Sequence, residues 1–170
     1  KRYVQDTVDN ISATVSHLYA RIHPGESLGE PSFGVKSGTI GSLTMKGKFG
    51  SNHDVPPVAY YSEAHLDTLG LCVYLALAKQ SGNALVVLDD VLMSVDDPHL
   101  DRVIELINEE APNFGHVIIT THSRAWFDRA RQGRGMPAEL IELYGWDLNN
   151  GIHHSRAPLA VDELRDAVNA

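Results

Sequence analysis

Cysteine is nearly missing: Cys72 stands alone in an apolar run. That excludes a disulfide scaffold and a cysteine-based zinc site, and it fits a reducing, cytoplasmic setting. Long apolar runs are missing too. Nothing approaches the ~18–20 residues of a membrane span, and mean hydropathy is -0.17, so no membrane partner is expected. Positive charge is short, with 14 Lys and Arg against 22 Asp and Glu and a net charge of -8. There is no global attraction to phosphate backbones, so a nucleic-acid contact needs a local basic patch or a partner chain. The chain opens with Lys1-Arg2-Tyr3, without Met and without the basic start and apolar middle of a secretion signal, and reads as a piece of a longer protein. No internal repeat or low-complexity tract is present. The length of 170 residues and a hydrophobic share of 43% leave room for a globular core.

The apolar residues Val4, Val8, Ile11, Val15, Leu18 and Ile22 follow the a/d spacing of a heptad repeat. This predicts the end of a coiled-coil helix over residues 1–23, the alternative being an amphipathic helix packed on its own domain. His23-Pro24-Gly25 stops it, because proline removes a helical donor and glycine accepts left-handed dihedrals. Residues 24–58 carry β-prone pieces such as Gly34-Val35-Lys36 and Leu43-Thr44-Met45-Lys46, punctuated by glycine. They predict two or three antiparallel strands. A helix capped by Ser62 follows from about Glu63 to Lys79.

From residue 59 to 170 the texture is α/β. Ala84-Leu85-Val86-Val87-Leu88 reads as a buried parallel strand, a helix runs from about Pro98 to Glu110, and His116-Val117-Ile118-Ile119-Thr120 reads as a second buried strand. Ser123 caps a helix reaching about Arg131. Leu140 to Tyr144 predicts a strand, Asn149-Asn150-Gly151 a turn, and Leu159 to Val168 a closing amphipathic helix.

Ligands in open α/β sheets bind beyond the carboxyl ends of the strands. Asp89 and Asp90 close the first strand, and Thr120-Thr121-His122-Ser123 close the second at the same edge. One aspartate can hold a magnesium shell while the other faces a water in front of a phosphate; the plain alternative is a solvated or capping pair. Between the strands lies the polar loop Ser94-Val95-Asp96-Asp97-Pro98. Upstream, Ser62-Glu63-Ala64-His65 opens a helix whose N-terminus offers free backbone donors to an anion.

In this order the pieces resemble the C-terminal lobe of an ABC-type ATPase head of the structural-maintenance-of-chromosomes (SMC), RecF and RecN-like group, which includes DNA-repair and anti-phage defence ATPases. Ser62 to Leu71 resembles the signature motif and its helix, Leu85 to Asp90 the Walker B strand, Ser94-Val95-Asp96 the D-loop, and Ile119 to His122 the switch-histidine strand. The resemblance implies the mostly parallel sheet of a P-loop NTPase, with ATP and magnesium as cofactors. It implies that Asp89 supports the metal, that Asp90 orients or deprotonates the attacking water, and that His122 contacts the γ-phosphate. Ser94 and Asp96 would couple two sites, while Ser62 and Glu63 would close on the nucleotide of a second head.

Three features depart from that pattern. Asp90 stands where the group has Glu, one methylene longer. Ala64 replaces the usual Gly of the signature. No Gly-x-x-x-x-Gly-Lys-Ser/Thr loop is found. The resemblance therefore implies half a head, needing an N-terminal lobe that carries Walker A, a second head, and DNA or an effector subunit to act on. Two other readings stay open: a structural head that dimerises without hydrolysis, and a metal-dependent phosphodiesterase or nuclease using Asp89, Asp90, Asp96 and Asp97. Arg124, Arg129, Arg131 and Arg134 read as a solvated helix face or a phosphate contact, and Trp126, Phe127 and Cys72 as core.

Overall fold

The heptad-spaced residues form helix α1 (Arg2–Ile22), which stops at His23-Pro24-Gly25 with Gly25 at φ +73°. The computed structural model describes residues 2–36, 42–91, 95–132 and 138–156, which fall into two compact units, Lys1–Ala130 and Arg131–Ala170. The apolar stripe of α1 meets its own unit over most of its length. Val15, Leu18, Tyr19 and Ile22 are at most 1% exposed, and only Val4, near the start, stands 53% exposed. α1 lies against strand β1 (Leu28–Val35) and against helices α3 (Glu63–Ser81) and α4 (Asp97–Glu110). A coiled-coil partner is thus not what fills this seam.

β1, β2 (Leu43–Phe49) and β3 (Asn52–Val55) make the expected antiparallel sheet in that order. Ser12 of α1 ties the sheet down, its Oγ accepting from Phe33 N at 2.9 Å. The short helix α2 (Pro57–Tyr60) leads to Tyr61, whose Oη donates to Gly29 O at 3.0 Å. That hydroxyl crosses directly over Gly47, where a Cβ would collide with it.

α3 buries Leu69, Leu71, Cys72 and Leu75 and ends at Gly82, φ +62°. β4 (Leu85–Asp89) and β5 (His116–Thr120) pair in parallel, Leu85 opposite His116 and Asp89 opposite Thr120. Both strands were expected to be covered on two faces, and here the structure corrects the sequence. Val86 and Leu88 are buried, whereas Leu85, Val87 and Ile118 are 58%, 45% and 50% exposed. Among the described residues the parallel sheet has two strands and a cover on one side only, so burial alternates. An apolar run satisfies that arrangement as readily as a sandwiched one.

The three helices are also joined by a buried carboxylate. Glu110 is 7% exposed and accepts from Lys79 Nζ at 2.6 Å, Arg21 Nη1 at 3.4 Å and Asn113 Nδ2 at 3.0 Å. Multiple donors offset the cost of removing its charge from water. Helix α5 (Arg124–Gln132) places Trp126 in the core; Arg129 is held by Asp97 at 2.9 Å and Asp101 at 3.5 Å, and Arg124 by Asp128 at 3.2 Å. This part of the basic run is an ion-paired helix face.

The second unit contains a hairpin of β6 (Glu142–Asp147) and β7 (Gly151–Ser155), turning at the expected Asn149-Asn150-Gly151. The strand begins two residues later than the sequence predicts, and β7 was not anticipated. The Asp147 carboxylate accepts from the backbone N–H groups of Asn149 and Asn150, both at 2.8 Å, and fixes the turn. The closing helix expected over 159–168 and Arg134 lie outside the described residues. No described helix is long and apolar enough to cross a membrane.

Truncating Leu18 to Ala leaves a cavity at the α1 seam and is expected to cost about 2–5 kcal/mol in denaturant unfolding. Val4→Ala, at the exposed end of the same stripe, is expected to stay within ~0.5 kcal/mol. Equal losses at the two positions would contradict the burial described here.

Candidate functional site

The parallel register decides what meets at the sheet edge. With Asp89 opposite Thr120, the hydroxyl of Thr120 donates to the Asp89 carboxylate. One residue on, Asp90 takes φ +49°, a left-handed conformation that is uncommon outside glycine but tolerated by aspartate. Its N–H donates to Thr120 O at 2.9 Å. This turn breaks the strand alternation, so both aspartates serve the same edge. The Asp90 carboxylate lies 2.6 Å from His122 Nδ1 and accepts from the His122 backbone N–H at 3.3 Å. Asp90 and His122 therefore pair at the same sheet edge at which Asp89 pairs with Thr120, with the His122 side chain 68% exposed. Exposed pairs of this kind contribute little to stability, and backbone held at a sparsely populated dihedral is a recurrent feature of functional sites.

A cleft of about 530 Å³ opens beside this edge between α3 and β4, lined by Leu66, Gly70, Leu71, Tyr74, Val87 and Asp90 among others. The Tyr74 hydroxyl accepts from Val87 N at 3.2 Å.

Ser62 caps α3 as expected. Its Oγ accepts from His65 N at 3.4 Å and lies 2.6 Å from His65 Nδ1. Glu63 is exposed in the first turn, where its charge suits the helix dipole. Asp96 caps α4 without a side-chain bond to the backbone; its carboxylate pairs instead with His99 Nδ1, which holds Asp96 below the usual carboxylate range. Ser94 lies outside the described residues.

The sequence reading missed a cluster that joins these two caps. Glu26, just past α1, lies 2.7 Å from His65 Nε2 with one oxygen, and with the other 2.7 Å from His99 Nε2 and 3.1 Å from His23 Nδ1. The His23 ring sits 4.5 Å from each of the other two imidazoles. Burial raises the Glu26 carboxyl, but hydrogen bonds from His65, His99 and His23 outweigh it and hold it at about 2. Burial, the largest influence, brings His23 down to about 4 against the opposing pull of Glu26. Burial likewise opposes charge on His99, but Glu26 and Asp96 prevail and raise it. A signal was present in the sequence: Ser62-x-x-His65 and Asp96-x-x-His99 repeat one cap-to-histidine spacing at two helix starts. The distant Glu26 could not be read from spacing. Cys72 is fully buried and its thiol is pushed up to about 12, which fits a core residue and not a nucleophile.

No protein-family model and no curated protein matches this sequence. Solved structures do. A chain from work on the ATP-driven dimerisation and DNA-stimulated activation of SMC ATPases superposes over 98% of this chain and 93% of its own length, with a TM-score of 0.69 and 18% identity. The fold is that of the C-terminal region of an SMC ATPase head. The Smc head domain with coiled coil and joint from Pyrococcus yayanosii matches 97% of this chain at a TM-score of 0.67 and 15% identity, over 29% of its own length. An SmcHead bound to the C-winged-helix domain of ScpA matches 74% of this chain at a TM-score of 0.57 and 21% identity, over 38% of its own length. This chain thus spans about a third of the length of those two longer chains. In it, the edge bearing Asp89, Asp90 and His122 and the caps bearing Ser62 and Asp96 occupy strand ends and helix starts, as the sequence predicts.

The depressed His23 value carries a sign. A histidine whose folded pKa lies below its ordinary value of 6.5 favours folding above 6.5 and loses that contribution as pH falls toward 4, while His99, shifted upward, acts in the opposite sense. Because the two offset each other in a global melt, the direct reading is site-specific. In chelator-treated protein the His23 imidazole is expected to titrate near pH 4 by NMR, and a midpoint at or above 6.5 would contradict the buried environment.

Proposed function

We propose that this chain is the C-terminal half of an ATPase head that closes with a second head around ATP and magnesium. The observation that carries the reading is the Asp90–His122 pair held beside Asp89 at one sheet edge. The site's donors suit a hard cation and a phosphate. Asp89 offers carboxylate oxygen to magnesium, directly or through water, and Asp90 offers a base or an orienting acceptor to the attacking water. His122 offers a donor to the terminal phosphate, with Ser62, Glu63, Ser94 and Asp96 acting toward the second head. Magnesium would neutralise charge developing on the transferred phosphoryl group. Asp90 is already hydrogen-bonded to His122, so the shorter side chain is aimed by backbone position.

The uncovered face of β4 and β5 supports the need for a second lobe. Leu85, Val87 and Ile118 expose an apolar strip on a sheet of two strands, and contiguous apolar surface of this kind is characteristic of an interface. We assign that face to the N-terminal lobe carrying the phosphate-binding loop. A coiled coil would continue from the exposed start of α1 at Val4. DNA or an effector subunit is the object of the motor, on the DNA stimulation named for one similar SMC ATPase. A head that dimerises without hydrolysis shares every feature but turnover. The nuclease reading is less favoured, because Asp96 is engaged with His99 and Asp97 with Arg129.

Hydrolysis by the head completed with its N-terminal lobe tests this reading. Asp90→Asn is expected to lower turnover by about 100-fold or more while leaving ATP binding intact; unchanged turnover would refute the role of Asp90, and a wild-type rate at background would favour the idle head. Val87→Asp together with Ile118→Asp is expected to abolish assembly with the N-terminal lobe without lowering the melting temperature of the isolated chain. Persisting assembly would place that lobe elsewhere.

A further inference from the structure

We propose that His23, Glu26 and His65 bind a divalent transition-metal ion of the zinc class, with His99 as a fourth donor. The ligating atoms of the first three residues lie within 4.8 Å of one another. Three imidazole nitrogens converge on a single carboxylate: His23 Nδ1 at 3.1 Å, His65 Nε2 at 2.7 Å and His99 Nε2 at 2.7 Å. Tetrahedral zinc with bonds of ~2.0–2.1 Å needs donors about 3.3 Å apart, so a small opening of the cluster accommodates the ion. Imidazole and carboxylate without thiolate is a donor set that suits zinc or its neighbours.

The other nitrogen of each ring is independently fixed. His65 Nδ1 meets Ser62 Oγ at 2.6 Å, His23 Nε2 meets Thr68 Oγ1 at 2.8 Å, and His99 Nδ1 meets the Asp96 carboxylate. Outer partners of this kind set tautomer and ring orientation in metal sites. The Thr68 hydroxyl also has the helix carbonyls of Ala64 and His65 within reach, at 3.0 and 3.1 Å, so it ties the His23 ring to the first turns of α3. His23 Nδ1 faces the Glu26 carboxylate at 3.1 Å, and a metal ion would take the place of the proton in that contact. His23 is buried, so little water competes with an ion for its Nδ1. Beside it, the Tyr19 ring is 4.6 Å away and its buried hydroxyl has no hydrogen-bond partner among the described residues.

An ion here would join the turn after α1 to the first turns of α3 and α4, and so hold Ser62 and Asp96 in fixed relation. That consequence rests on the head reading, whereas metal binding itself does not.

The test is zinc titration of the chelator-stripped, purified chain against a chromophoric zinc indicator, with cobalt substitution as a spectroscopic check. The expected result is saturable uptake of about one equivalent and cobalt bands of tetrahedral intensity. Glu26→Gln and His65→Gln, each verified as folded by circular dichroism, are expected to weaken uptake by about 100-fold, and Thr68→Val by about 10-fold. His153→Ala, in the hairpin, is expected to leave it unchanged. Absence of saturable uptake at micromolar zinc, or uptake unchanged in whichever ligand variant folds, would overturn the proposal. Failure of ATP hydrolysis in the completed head would leave this result untouched, so the two readings fail separately.

Discussion

The in-register parallel pairing of β4 with β5 is the constraint on which the rest of the edge depends. Setting Asp89 opposite Thr120 carries the chain one residue further to Asp90 and two further to His122, and those two then touch. A slip of one residue would turn the carboxylates to the other face and separate them from the imidazole, because side chains alternate with a period of two. The left-handed Asp90 is part of the same device: it ends the strand while keeping its N–H bonded to Thr120 O. The cost of that dihedral is small beside the anchoring by Val86 and Leu88, both buried beneath it.

The first unit divides its labour between two sides. On one, α1, α3 and α4 close around Leu18, Ile22, Leu75 and Val103 and are stitched by Glu110. On the other, the parallel strands expose Leu85, Val87 and Ile118. An α/β sheet normally carries helices on both faces, whereas among the described residues this one is covered on one side.

Much of this was legible because local chemistry and the fold agree. The Ser62 cap, the helix stop at His23-Pro24-Gly25 and the run ending at Thr120 are set by short-range preferences, and the structure follows them to within a residue or two. Three things were not legible. One-sided burial of β4 cannot be told from two-sided burial when every residue is apolar. Heptad spacing of α1 fits a coiled coil and a domain-packed helix alike, and only the positions of β1, α3 and α4 show which stretch of it packs on the domain. The Glu26 cluster joins residues 23, 26, 65 and 99, whose meeting depends on tertiary approach of three elements. At the candidate edge, the residue types and strand ends were readable, whereas the Asp90–His122 contact required the positive φ.

The central claim is that Asp89, Asp90 and His122 converge on one metal-nucleotide. Paramagnetic relaxation measures this directly: the completed head, with ATP and manganese in place of magnesium, is compared with its diamagnetic form by NMR. The account predicts that amide signals of Asp89, Asp90 and His122 broaden beyond detection while that of Val8, in α1, persists. Sharp signals at Asp89 and His122 in the manganese-loaded head would contradict it.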